Sequence, residues 1–217
     1  MSSLQEALDK FDLPLPSEQA ACLDQYCQLL WDWNQKLNLT RHTDYETFVA
    51  RDLVDSMQVS QLLAEREEVL DVGTGGGVPG IVLGILRPDL QLTLCESVGK
   101  KATVLQSMIE ALELPLPVYG CRAEHLLEDF RFETITARAV GPLWKMLKWF
   151  QPHWASIDRL LPIKGPRWVD ERGEARHRGL LNNLELRCAA SYETPGSGAK
   201  NFILQIWHRG RAPSGDA

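Results

Sequence analysis

Apolar residues early in the chain recur every three or four positions: Leu23, Tyr26, Leu30, Trp33 and Leu37 mark one face of a helix. Pro14 and Pro16 end a shorter helix before it, and Ser17 is placed to cap its start. The residues from Trp33 to Thr40 favour a helix end. The spacing Thr43-x-x-Glu46 predicts a capping box that opens a third helix, with Val49, Leu53 and Met57 as its buried stripe. No strand signal interrupts this segment, so residues 1–64 are expected to form a helical cap.

From Glu67 the period changes. Strands are predicted at Glu68–Val72, Gln91–Glu96, Pro117–Cys121, Thr134–Ala139 and Arg159–Lys164. Helical patterns at Val78–Leu86, Gly99–Leu114, Ala123–Leu127 and Gly141–Phe150 separate them. Strands alternating with helices imply a parallel sheet with right-handed crossovers. Farther on, Leu184–Tyr192 and Asn201–His208 flank Pro195-Gly196-Ser197-Gly198, which signals a hairpin rather than a crossover. The fold class is therefore α/β: a mostly parallel sheet over residues 65–210 that ends in an antiparallel hairpin. The tail, 211–217, is small and polar and is expected to fray.

The stretch Val69-Leu70-Asp71-Val72-Gly73-Thr74-Gly75-Gly76-Gly77-Val78-Pro79-Gly80 joins the first of these strands to its helix. A turn that visits positive φ and lets a ligand approach the backbone calls for glycine. Strand, glycine turn and helix, in that order, hold nucleotide-like cofactors at the carboxyl end of the first strand. The dinucleotide pattern G-x-G-x-x-G is met at Gly75, Gly77 and Gly80. Its register is wrong, because the strand ends near Val72, so the first glycine of the turn is Gly73 and Val78 falls where the third belongs. S-adenosyl-L-methionine has no pyrophosphate and does not need that glycine. Asp71-x-Gly73-x-Gly75-x-Gly77 resembles the first motif of class I, Rossmann-like methyltransferases.

Composition narrows the class. At 217 residues, 44% hydrophobic and 24% charged, the chain suits a globular protein with one α/β body and an appendage. No apolar run is long enough to span a bilayer, and Met1 to Lys10 lacks a signal-peptide core. Five cysteines without a C-x-x-C pair read as reduced thiols, so a cytoplasmic location is expected, with Cys95 and Cys121 as core filler. Five histidines form no H-x-x-x-H or Cys/His cluster, so no metal is expected. The net charge of −6 argues against a nucleic-acid partner, but its distribution is uneven. Residues 1–71 hold 14 acids and 5 bases, whereas residues 138–178 hold 9 bases and 4 acids. That basic stretch allows a local footprint for RNA and is equally compatible with ordinary solvated helices.

Glu96 ends the second strand 25 residues after Asp71, near the distance at which a carboxylate can accept both ribose hydroxyls of an adenosine. Arg122-Ala123-Glu124 follows the third strand, where side chains border the adenine, and Arg138 ends the fourth beside the reactive end of the cofactor. The fourth strand runs into Ala139-Val140-Gly141-Pro142 and lacks the Asn/Asp-Pro-Pro-aromatic tetrapeptide that methyltransferases of exocyclic amines usually carry. No cysteine is placed to attack a pyrimidine carbon.

Together these residues resemble the RsmG, or GidB, family of bacterial 16S rRNA guanine-N7 methyltransferases, over about residues 20–207. The resemblance rests on Trp33-Asn34 with Asn38-Leu39-Thr40, Arg51-x-x-x-Asp55-Ser56, the glycine stretch ending Pro79-Gly80, Gly99-Lys100-Lys101, Arg122-x-Glu124, Arg138-Ala139 and Lys164-Gly165. It implies S-adenosyl-L-methionine as cofactor, with contacts at Gly73, Val78, Ala123, Glu124 and Arg138; Thr74, Gly75, Gly77 and Glu96 complete the expected cofactor set. It also implies 16S rRNA or a small-subunit precursor as partner. Lys164 and Arg167, on the loop expected after the fifth strand in a net positive segment, are candidates for RNA phosphate contact, with Asn38 and Arg138 as further candidates, and a monomer is expected. The family usually has His after the arginine of the third helix; here it is Asp52. Guanine N7 already carries a lone pair, so no catalytic base is named. A methyltransferase acting on another RNA site, a protein or a small molecule, and a catalytically silent RNA-binding module, remain open alternatives.

Overall fold

The computed structural model describes residues 3–211. The tail expected from residue 211 lies, from residue 212 on, outside them. The cap comprises α1 (Leu4–Lys10), α2 (Ser17–Asn34), α3 (Tyr45–Thr47), a π-helical stretch (Phe48–Leu53) and α4 (Val54–Ser60). Ser17 begins α2 rather than capping it, and α2 stops three residues short of Leu37. The box expected at Thr43 is not the one used. Asp44 caps α3 by accepting the Thr47 N–H at 2.7 Å, while Glu46 pairs with Lys10. Leu23, Tyr26 and Leu30 are buried as the periodicity requires, each contributing roughly 1.5–3 kcal/mol to holding the cap down.

The body follows as β1 (Glu68–Val72), α5 (Gly80–Leu86), β2 (Gln91–Cys95), α6 (Gly99–Ala111), β3 (Val118–Tyr119), α7 (Ala123–Asp129) and β4 (Phe132–Arg138). It continues through α8 (Leu143–Phe150), a 3-10 turn at Gln151–His153, β5 (Ile157–Lys164), α9 (Trp168–His177), β6 (Leu184–Glu193) and β7 (Lys200–His208). The seven strands lie in the order β3-β2-β1-β4-β5-β7-β6. The first five are parallel, and β7 runs antiparallel to both β5 and β6, so the parallel sheet ends in a hairpin as expected. One core cluster joins the cap to α5 and α6 on one face of the sheet, and a second packs α7, α8 and α9 on the other.

Two elements escaped the pattern. Helix α9 buries only Ala175, so it shows no apolar stripe, and what read as a basic loop after β5 is largely helical. The π-helical stretch keeps the hydrophobic spacing of an ordinary helix, and periodicity could not separate the two. Stretches of this kind recur at functional sites, and here one carries Asp52.

Candidate active site

Beyond Val72 the chain turns through Gly73, Gly75 and Gly77, whose φ angles are +66°, +61° and +107°. A Cβ at Gly73 would also lie 2.9 Å from Val140 Cγ2, and one at Gly77 only 2.6 Å from Ile81 Cδ1. Glycine is required here by conformation and by space. Asp71, fully buried, pins the far end of the turn by accepting the Gly80 N–H and the Thr136 hydroxyl, both at 2.9 Å. Burial raises its carboxyl to about 6, an effect its hydrogen bonds only partly offset.

Two cavities meet at Gly73. One, of about 200 Å³, is walled by Val72, Cys95, Ser97, Cys121, Ala123 and Glu124. Its lining explains both cysteines: Cys121 falls beyond the end of β3, and Cys95 Sγ donates to its carbonyl at 3.1 Å. The other, of about 230 Å³, has Thr40, Asp52, Thr74, Gly75, Val78 and Lys101 in its wall, with Arg138. The first chamber mixes apolar walls (Val72, Val140, Trp149, Phe150) with Arg122 and Glu124 at its edge, and the second carries Asp52, Lys101 and Arg138; together they suit a nucleoside with a zwitterionic tail. The expected cofactor residues Gly73, Thr74, Gly75, Val78, Ala123, Glu124 and Arg138 thus come together. Glu96 braces the turn: its Oε2 accepts the Gly75 N–H at 3.1 Å and its Oε1 the Val98 N–H at 2.8 Å.

Arg138 stands where cap, sheet and hairpin converge. Its guanidinium donates to Asp52 Oδ1 at 2.7 Å and to Asp55 Oδ2 at 2.9 Å, and Tyr192 on β6 donates to Asp55 Oδ1 at 2.6 Å. Asp52 is therefore a buried partner of Arg138. Burial pushes the Asp55 carboxyl upward even with Arg138 beside it. Arg138 and the Asp55 motif are visible in the sequence; Tyr192, which shares no local pattern with either, is not.

Arg138 and Ala139 also open onto a cleft of about 770 Å³, lined among others by Asn38, Arg41, Arg51, Lys164 and Asn201. Lys164 is not a loop residue. It ends β5, and its ammonium donates to the Gly141 carbonyl at 2.6 Å and to Glu171 Oε2 at 2.8 Å, so its charge is already matched within the fold. Arg167 is exposed at the start of α9 and does not line the cleft. No group of three or more His, Cys, Asp or Glu could hold a metal among the described residues, and none of their helices is long and apolar enough to cross a membrane.

Sheet order, antiparallel hairpin and a glycine turn between paired cavities define a Rossmann-like methyltransferase. The same architecture occurs in an O-methyltransferase from Bacillus cereus in complex with SAH (TM-score 0.60, 15% identity, 91% of this chain and 94% of that one). A variant of MtNAS in complex with S-adenosylmethionine shares it at TM-score 0.57 and 13% identity, over 95% and 84% of the two chains. The chain belongs to the GidB family, rRNA small subunit methyltransferase G, whose model matches residues 19–194. The ribosomal RNA small subunit methyltransferase G of Rhodopirellula baltica is 56% identical over 88% of this chain and 83% of its own. That of Pseudothermotoga lettingae is 34% identical over 98% and 93%.

Proposed function

We propose that this methyltransferase transfers a methyl group from S-adenosyl-L-methionine to N7 of a guanine in 16S ribosomal RNA, acting in the cytoplasm as a monomer without a metal. The observation that carries the reading is the paired cavity at Gly73, which opens past Arg138 and Ala139 onto a cleft lined with hydrogen-bond donors. Family membership, shared with relatives known as ribosomal RNA small subunit methyltransferases, supplies the nucleic-acid substrate.

The cofactor supplies an electrophilic methyl on a sulfonium. The residues present fit it. The cavity wall at Ala123 and Glu124 would hold the nucleoside, Lys101 and Arg138 the methionine carboxylate, and Asp52 the ammonium. Glu96, now tied to backbone N–H groups at the turn, is the candidate for the ribose hydroxyls. What the chain must do is align nucleophile and methyl at roughly 3–3.5 Å. Asp52, Asp55 and Tyr192 hold Arg138 still for that purpose. No side chain is required to take a proton, because N7 presents a lone pair.

The test is labelled methyl transfer into 16S rRNA, with product digestion and mass spectrometry, and single-turnover rates at saturating enzyme across neutral pH. N7-methylguanosine and a nearly flat profile are expected. A methyl on an exocyclic amine, a ribose oxygen or a pyrimidine carbon overturns the reading, as does a steep limb reporting a base.

A further inference from the structure

We propose that Glu171 selects guanine by accepting the N1–H and N2–H donors on the Watson–Crick edge of the target base; this assignment rests on the rRNA reading above. Two carboxylates line the cleft, Asp55 and Glu171. Both oxygens of Asp55 are occupied, Oδ2 by Arg138 and Oδ1 by Tyr192. Glu171 differs. Its Oε2 accepts the Leu143 N–H and the Lys164 ammonium, each at 2.8 Å, while its Oε1 has no hydrogen bond among the described residues. The first residue of α8 and the last of β5 thus fix the carboxylate, and one acceptor atom stays open on a side chain that is 28% exposed.

A carboxylate oxygen only accepts, and the open Oε1, with two lone pairs, can take the N1–H and N2–H donors together. Guanine alone among the RNA bases sets two donors side by side. Adenine and cytosine place a lone pair next to their amino group, and the single N–H of uracil lies between two carbonyls. A fixed carboxylate therefore attracts guanine and repels the others. Arg51, exposed on the cleft wall and unpaired among the described residues, is a donor of the kind that O6 accepts, and it leaves N7 free for the methyl. Reading the Watson–Crick edge also requires that the target base be unpaired at the moment of transfer.

The experiment uses the full chain and 16S rRNA carrying guanosine or inosine at the methylated position; inosine keeps N1–H and lacks the N2 amino group. Wild type is expected to favour guanosine by roughly tenfold to a hundredfold in kcat/KM, the effect of one hydrogen bond to a charged group. In Glu171→Gln the amide oxygen can still accept from Leu143, so the fold is kept, and the preference should fall to within about threefold. Wild-type transfer to inosine as fast as to guanosine overturns the assignment without recourse to any variant. A Glu171→Gln enzyme that melts lower or turns over more slowly but keeps the wild-type ratio shows a purely structural residue, and overturns it too. Wild type that methylates no guanine at all brings down the rRNA reading, and this assignment with it.

Discussion

The Tyr26 hydroxyl donates to the Gly76 carbonyl at 3.0 Å, and both residues are buried. A cap helix therefore holds the backbone of the cofactor turn directly. The contact is close on both sides: a Cβ at Gly76 would lie 3.0 Å from Leu30 Cδ1 and 3.3 Å from the Leu39 carbonyl.

Tyr26→Phe keeps the ring and leaves the Gly76 carbonyl buried without its partner. The expected cost is about 1–3 kcal/mol, a fall in Tm of a few degrees, with S-adenosylmethionine bound several-fold more weakly. Calorimetry gives both numbers. Unchanged cofactor affinity would mean that the cap does not stiffen the turn.

Asp55→Asn should loosen the junction of cap and hairpin at Arg138. A fully buried pair loses about 3–5 kcal/mol when one partner is removed; with the Arg138 side chain 23% exposed, a smaller loss of about 1–3 kcal/mol is expected. Tyr192→Phe should cost about 1 kcal/mol, and a double-mutant cycle in urea should show the two effects to be non-additive. Simple additivity would show that Tyr192 acts on stability by some route other than Asp55.

The Asp71 carboxyl is raised by burial from an ordinary 3.8 to about 6. Between those values the native state keeps a proton that the unfolded chain has released. The contribution of this group to stability is therefore greatest below pH 4 and is lost as pH rises through 6. The stability of the wild type relative to Asp71→Asn should fall by on the order of 3 kcal/mol from pH 4 to pH 7. A series of urea midpoints measures it, and a pH-independent difference would place the native carboxyl at its unfolded value.

Much of this was legible in the sequence, for identifiable reasons. The five parallel strands and the hairpin announced themselves because buried strands are short apolar runs bounded by turn residues. The glycine turn did so because positive φ leaves few other choices. Helix α9 did not, since one buried alanine makes no stripe. The engagement of Lys164 with Glu171, and of Tyr192 with Asp55, depends on how distant segments meet, which no local spacing records.

That difference separates two basic residues that looked alike. Arg167→Ala, removing an exposed guanidinium beside the β5 end, should weaken RNA binding and lower the salt slope by about one unit. Lys164→Ala should instead lower stability, since it strands Glu171 and the Gly141 carbonyl, and should leave that slope nearly unchanged. Filter binding over a salt series, read beside thermal melts, distinguishes them; the reverse pattern would return Lys164 to the RNA interface.

Strand β7 follows β6 in the chain yet lies inside the sheet, between β5 and β6, and β6 pairs with no other strand. As the polypeptide leaves the ribosome, β6 emerges with nothing to pair with and waits for the nine residues of β7. Until they arrive, the edge of β5 stands open to other chains, the condition under which unfinished sheets aggregate. A stop codon between the two hairpin strands would remove the pairing of both, and would leave Tyr192 without the register that brings it to Asp55. Such a late truncation therefore unpairs the edge of β5 and frees Tyr192, although the cofactor turn far upstream is untouched.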